Sequence, residues 1–223
     1  MMEIKRVVFN PFRENTYIVW DETKECIIVD AGNLAKRENE MLDEMIAARG
    51  LKPVMAVNTH GHFDHVMGVG YLKEQYGVQF ACSSKDQFLV DDAEQRAMMF
   101  GVKCKPVPAI DLDLDSVDSV TFGNTTLKVI KTPGHTPGHV ALYNAEQKML
   151  FTGDTLFKES IGRTDMPGGD YSWIMQSILE KIVPLGDDVT IYPGHEGEST
   201  IGHETIYNPF ITEVLNQEIN YKG

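Results

Sequence analysis

The chain has no long hydrophobic run. None of its apolar stretches approaches the roughly 20 residues that a helix needs to cross a bilayer. Cysteine is scarce. Cys26, Cys82 and Cys104 are odd in number, far apart and form no CxxC pair, which argues against a disulfide framework or a cysteine-built structural zinc site. Positive charge is short as well: 20 Lys and Arg face 33 Asp and Glu, for a formal net charge of −13. A surface this acidic repels phosphate backbones and anionic lipid, so neither nucleic acid nor a membrane is an expected partner. A signal-peptide core is also missing, since Met1-Met2-Glu3-Ile4-Lys5-Arg6 leads into an alternating pattern. These absences point to a cytoplasmic protein. They leave room for a small anionic substrate, because a bound metal reverses the local field.

What is present is ordinary for a globular protein. Over 223 residues, 42% are apolar and 24% charged, enough for one sizeable domain over 1–223. Strands are expected at 4–9, 16–20, 26–30, 53–58 and 78–81, and helices at 35–49, 64–77 and 84–100, the last capped by Ser84. Residues 102–115 read as irregular and divide the chain into halves of about 1–115 and 116–223. The second half repeats the theme, with strands at 119–122, 126–130, 140–144, 148–152 and 189–192 and helices at 171–182, 203–207 and 209–218. Neither half shows a regular βα repeat, so two mixed sheets with helices outside fit better than a doubly wound sheet.

The chemistry concentrates in a few loops. Three of seven histidines fall in His60-Gly61-His62-Phe63-Asp64-His65. Three imidazoles and a carboxylate in six residues are hard to satisfy in an apolar core, and metal ligation satisfies them at once. So short a loop cannot easily bring all four groups to one metal, but it can serve two adjacent ones. Three further candidates follow predicted strands: His135 in Thr132-Pro133-Gly134-His135-Thr136-Pro137-Gly138-His139, Asp154 in Phe151-Thr152-Gly153-Asp154-Thr155, and His195 in Tyr192-Pro193-Gly194-His195-Glu196. In each, apolar residues give way to glycine and then to a ligand-type side chain.

These motifs, over essentially the whole chain, resemble the metallo-β-lactamase superfamily and its HxHxDH signature. The resemblance implies an α+β, four-layer αββα sandwich with the site at one edge between two sheets. It also implies that His60, His62 and His135 hold one metal, that Asp64, His65 and His195 hold a second, and that Asp154 bridges. Two such ions activate a hydroxide near neutral pH and polarise a carbonyl. A donor set of nitrogen and oxygen without thiolate favours zinc first, with iron or manganese as alternatives. Asp64, Asp154 and His139 are the candidate catalytic group, and a buried structural histidine is the alternative reading of His139. His203 reads as a surface residue at a helix start.

Within the superfamily the chain looks most like the short, single-domain relatives of type II glyoxalases, the hydroxyacylglutathione hydrolases. That likeness implies hydrolysis of a thioester, S-D-lactoylglutathione to D-lactate and glutathione. Thiolate leaves readily, so no strong general acid is needed. Arg163 falls where those enzymes place a basic residue for a glutathione carboxylate, and an ion pair with Asp165 or Asp170 is its bland alternative. The pattern departs elsewhere. Gly197 replaces a tyrosine two residues past the last metal histidine, Asp165 replaces the tyrosine of the arginine loop, and ending at Gly223 leaves no room for their helical C-terminal domain. A second resemblance, through Gly162-Arg163-Thr164-Asp165, is to the persulfide dioxygenases, which hold one iron. A non-catalytic protein on the same fold is the third reading, and the full ligand set argues against it.

Overall fold

The computed structural model describes residues 1–221, with side chains through residue 215. Residues 222 and 223 of the expected 1–223 unit, and the side chains of 216–218 in the predicted last helix, lie outside the described residues.

The first six strands form one sheet. β1 (Glu3–Phe9), β2 (Glu14–Trp20) and β3 (Glu25–Val29) pair antiparallel. β4 (Lys52–Val57), β5 (Gln79–Cys82) and β6 (Leu112–Asp113) extend it in parallel, in the order β1-β2-β3-β4-β5-β6. The second sheet takes β7 (Ser119–Phe122), β8 (Thr125–Lys131), β9 (Val140–Asn144), β10 (Met149–Gly153), β13 (Thr190–Pro193) and β14 (Ser199–Thr200), in the order β14-β13-β10-β9-β8-β7. Its one parallel pair is β10 with β13. Between them in the chain, β11 (Leu156–Phe157) and β12 (Ser160–Ile161) make a small hairpin.

Strand alternation sorts the apolar residues into layers, because successive side chains point to opposite faces. Tyr17, Val19, Ile27 and Val29 face the second sheet and pack with Phe122, Leu127, Leu142 and Phe151. Ile18, Trp20 and Ile28 point the other way, onto α1 (Lys36–Arg49), α2 (Phe63–Val66), α3 (Val69–Tyr76), α4 (Gln87–Asp91) and α5 (Ala93–Met99). The outer face of the second sheet, with Ile130, Leu150 and Ile191, packs on α6 (Tyr171–Ser177), α7 (Ile201–Tyr207) and α8 (Pro209–Tyr221). The result is the four-layer αββα sandwich that the resemblance implied. Both β2 and β3 are buried on both faces, which explains the unbroken runs Tyr17-Ile18-Val19-Trp20 and Cys26-Ile27-Ile28-Val29.

The helices show where periodicity misled. The single helix expected over 64–77 breaks at Met67-Gly68. Gly68 N–H bonds Ala31 O at 2.7 Å, and a Cβ there would lie 2.0 Å from Asn33 Oδ1. The helix expected over 84–100 is a 3₁₀ turn (Ser84–Asp86), then α4 and α5. Its N-cap is Ser83, not Ser84; the Ser83 hydroxyl accepts from Lys85 N–H. Buried Val90, Ala93 and Ala97 face one core across the break, so the apolar spacing does not register it. Residues 102–115 include β6, which pairs with the edge of the first sheet. The helix expected over 171–182 is α6 followed by a π turn, Ile178–Ile182. α7 begins two residues before the expected 203, where Thr200 accepts from His203 N–H at 3.1 Å.

Candidate metal centre

Every candidate ligand stands just past the end of a strand. His60 and His62 follow β4, and Asp64 and His65 ride on the short helix α2. His135 lies between β8 and β9, Asp154 follows β10, and His195 follows β13. The two sheets are stitched together here. Val140 N–H bonds Thr59 O at 2.8 Å, Asn15 N–H bonds Gly194 O at 2.7 Å, and the Tyr17 hydroxyl donates to Pro193 O at 2.7 Å. Residues from all four loops therefore meet at one edge of the sandwich.

Two glycines let them approach. Gly153 has φ +47°, a left-handed turn that delivers Asp154, and a Cβ on it would lie 2.4 Å from Thr59 Oγ1. At Gly194 a Cβ would lie 2.2 Å from Asp154 Oδ1.

The donors form two clusters. His60, His62 and His135 make one, Asp64, His65 and His195 the other, each with its ligand atoms within 4.8 Å of one another. Asp154 lies between them. Its Oδ1 is 3.5 Å from His65 Nε2, and its Oδ2 is 3.5 Å from His135 Nε2 and 3.6 Å from His195 Nε2. His62 Nδ1 and His135 Nε2 face each other at 2.9 Å.

Neighbouring groups fix the imidazole tautomers. His135 Nδ1–H donates to Arg163 O at 2.7 Å, which leaves Nε2 as a lone pair. His65 Nδ1–H donates to Asp30 Oδ2 at 3.1 Å. The Thr59 hydroxyl donates to the same Asp30 oxygen at 2.8 Å, so its own oxygen accepts from His60 Nδ1–H at 3.0 Å. One carboxylate thus orients two imidazoles. Asp86 does similar work on the backbone. It accepts from Gly61 N–H, Gly138 N–H and the Thr136 hydroxyl, at 2.7–2.9 Å, and ties the histidine-rich turn to the His135 loop. Sequence reasoning missed Thr59, Asp30 and Asp86. The available signal was a carboxylate ending a buried apolar strand, at Asp30 after β3.

The electrostatics suit a cation. Burial, with His65 and His135 beside it, holds His60 well below its ordinary pKa; burial and His135 bring His62 down to about 3. Burial pushes the Asp64 carboxyl up, but His65 and the His195 hydrogen bond leave it below its usual value. His60 and His62 are therefore held neutral and Asp64 ionised. Among the described residues, the buried side-chain atoms with no hydrogen-bond partner include His60 Nε2 and Asp154 Oδ1. A bound cation supplies the missing partner, so the donor set fits a metal.

The remaining candidates take other places. His139 is buried behind the site. Its Nε2 accepts from Asp154 N–H at 3.0 Å, and its Nδ1 lies 2.9 and 3.0 Å from the hydroxyls of Thr132 and Thr155. It is a positioning residue for Asp154. Arg163 grips Asp165 through two bonds of 2.7 Å and lines the cavity above the histidine and aspartate clusters. Asp170 instead caps α6, accepting from Trp173 N–H. His203, on α7, pairs with Glu159 at 3.0 Å. The cavity holds about 440 Å³. Phe12, Phe63 and Phe100 build one wall, their rings 5.0–5.7 Å apart, and Phe157, Ile161 and Met166 contribute to the rest.

Residues 9–195 match the sequence profile of the metallo-beta-lactamase superfamily. The chain belongs to that superfamily. Its members bind divalent metals and are mostly metal-dependent hydrolases. The chain is 36% identical to hydroxyacylglutathione hydrolase GloC of Haemophilus influenzae, over 94% of this chain and 98% of that protein. It is also 33% identical to human mitochondrial persulfide dioxygenase ETHE1, over 93% of this chain and 75% of that protein. Similar crystal structures include the B3 metallo-beta-lactamase BLEG-1 (TM-score 0.87, 32% identity, 94% of this chain and all of that one) and TTHA1623 in a di-iron-bound form (0.83, 31%, 92% and 99%). Among the described residues no helix is long and apolar enough to cross a membrane.

Proposed function

We propose that this superfamily member is a two-metal hydrolase of a thioester, of the hydroxyacylglutathione hydrolase type. The observation that carries the proposal is the position of Asp154, a single carboxylate within 3.6 Å of nitrogens from both histidine clusters. His60, His62 and His135 hold the first ion, Asp64, His65 and His195 the second, and Asp154 joins them. The di-iron form of a protein 31% identical supports a paired site. Zinc is the first expectation by donor chemistry, and iron or manganese fit the same set.

The ions, when bound, acidify a water and polarise a carbonyl. The chain's own residues do the rest. Asp30 and Thr59 hold His60 and His65 with their lone pairs turned inward. The Arg163 carbonyl does the same for His135. His139 and Gly194 keep Asp154 against both clusters. The aromatic wall of Phe12, Phe63 and Phe100 excludes water from one side of the acyl group, and Arg163 stands at the rim where a substrate carboxylate would meet it. A thiolate departs without help from a strong acid. Three buried, unpaired cysteines suit a reducing, cytoplasmic setting.

The test is Asp154→Ala. The variant is expected to lose the metal pair and thioester hydrolysis together while its circular dichroism stays near wild type. Full hydrolysis by the variant overturns the proposal. The likeness to ETHE1 and the Gly162-Arg163-Thr164-Asp165 loop favour one second reading, persulfide oxidation at a single iron. Oxygen uptake with glutathione persulfide, and no thioester turnover, would establish it.

A further inference from the structure

The three rings beside the ligands continue outward as an apolar strip. Phe63, flanked in the chain by His62 and Asp64, is the innermost, at 8% exposure. It stacks on Phe100 at 5.5 Å, and Phe12 meets both rings edge-on at 5.0 and 5.7 Å. Phe100 is 55% exposed. Met98 and Met99, which precede it at the end of α5, are 63% and 73% exposed. Large apolar side chains left exposed beside a cavity mark a place where an apolar group binds. They stand out in a chain of net charge −13.

The wall is fixed in place before any ligand arrives. Phe12 N–H donates to Asn10 Oδ1 at 3.0 Å, while Asn10 Nδ2 donates to the carbonyls of Asp64 at 2.9 Å and Gly32 at 3.0 Å. Asn10 takes φ +49°, a left-handed conformation that asparagine tolerates better than most residues. One amide thus sets the spacing between the aromatic wall and a metal ligand. At the outer end, Phe100 N–H bonds Ala97 O, and Gly101, at φ +74°, stops the helix directly after it. A surface ordered in advance loses little freedom when it is covered. The three rings come from the first half of the chain, whereas Ser160 and Arg163, from the second half, give the cavity polar lining.

We propose that this strip binds the acyl side chain of the substrate, and that the side chain is a linear aliphatic one longer than lactoyl. The proposal rests on the hydrolase reading above and adds an acyl class to it. Phe63 adjoins the ligands that would face the carbonyl, so a chain attached to that carbonyl starts on the strip. A lactoyl group ends within one ring-to-ring step. The cavity of about 440 Å³ and the exposed residues beyond it offer apolar contact to a longer chain. Phe100 sets the preference, because it stands where the strip leaves the cavity for the surface. In the reaction, water adds its oxygen to the acyl carbon as the C–S bond breaks, which releases a carboxylate, a thiol and a proton.

The test uses metal-loaded protein and ketone analogues, in which a methylene between the carbonyl and the sulfur of N-acetylcysteamine blocks hydrolysis. Calorimetry of the series is expected to show binding that tightens about twofold to fourfold for each methylene added on the carbonyl side. The same methylenes moved to the sulfur side should gain little. Phe100→Ala removes a ring that is more than half exposed, so the fold should persist by circular dichroism. It should cut the gain between the four-carbon and eight-carbon analogues by about fivefold or more, and Phe100→Leu should keep most of that gain. Binding independent of chain length, an equal gain on the sulfur side, or a full gain in Phe100→Ala overturns the acyl strip. Hydrolysis of S-lactoyl- and S-octanoyl-N-acetylcysteamine by wild type separates this from the hydrolase reading. The octanoyl thioester is expected to have the higher kcat/KM. Turnover of both with no effect of chain length on binding or rate removes the strip alone. Chain-length-dependent ketone binding without turnover of any thioester removes the hydrolase and leaves the strip as a site for an apolar carbonyl compound.

Discussion

At Asp30, one buried carboxylate receives His65 Nδ1–H, the Thr59 hydroxyl and Thr59 N–H, the last at 2.7 Å. Removing an acceptor behind a ligand typically costs 10–100-fold in metal affinity. Asp30→Asn is therefore expected to weaken metal binding by about that factor and leave secondary structure unchanged, measured by competition with a chelating dye. A second residue-scale expectation concerns protons. Burial opposes charge on His65 and His195, but Asp154, Asp64 and Asp30 around the first, and Asp64 and Asp154 beside the second, raise both above the ordinary imidazole value. These rings therefore keep their protons to higher pH than a free imidazole does, and a metal must displace any proton they hold. Metal affinity should then fall as pH falls, and adding metal to a weakly buffered sample at about pH 7 should release protons to an indicator dye. Uptake without proton release contradicts that. The ligands themselves were legible because they cluster in sequence or follow a strand-Gly step. Asp30 was not. It is separated by 30 residues from His60, and only the parallel pairing of β3 with β4, Val29 opposite Val57, brings it close. Asp86 is likewise hidden, inside what reads as a helix.

Among the elements, strands were read well and helix breaks were not. Apolar runs such as Ile27-Ile28-Val29 and Ala141-Leu142 have one reading at that length, and the glycines at 50 and 77 close α1 and α3 as the pattern predicts. The break at Met67-Gly68 depends on a tertiary bond, Gly68 N–H to Ala31 O, that no local pattern encodes, and at Asp92 the buried face runs on through the break. The short strands β6, β11, β12 and β14, of two residues each, fall below any periodicity. Element ends also make the site brittle. The loop after β13 passes so close to Asp154 that Gly194→Ala would place a methyl 2.2 Å from Asp154 Oδ1 and 2.7 Å from His65 Cε1. This variant is expected to fold, by circular dichroism, yet to lose at least about tenfold in metal affinity. Wild-type metal content in Gly194→Ala would show that the loop moves freely of Asp154.

Across the whole molecule, the core between the sheets joins the two halves seen in the sequence. Phe151 is fully buried there, its ring 5.3 Å from Tyr17 and 5.5 Å from Tyr192. Phe151→Ala should cost about 3–5 kcal/mol of stability, read from denaturant unfolding. The two tryptophans divide conveniently, Trp20 in the first sheet and Trp173 on α6 over the second. We expect the chain to unfold as one unit, so Trp20→Phe and Trp173→Phe variants, each reporting one half, should show transitions of the same width and steepness, displaced only by the cost of the substitution. A two-step transition in either would mark the halves as independent. The layer order was legible because the site motifs resemble a known superfamily; composition alone reached only two mixed sheets.

The claim that matters most is that one carboxylate holds two metals for thioester hydrolysis. It is tested most directly by elemental analysis and S-D-lactoylglutathione hydrolysis on the same purified sample. The expected result is about two metal ions per chain, with turnover that disappears when they are removed by chelation and returns on their addition. One ion per chain without turnover, or turnover that survives complete removal of metal, would contradict it.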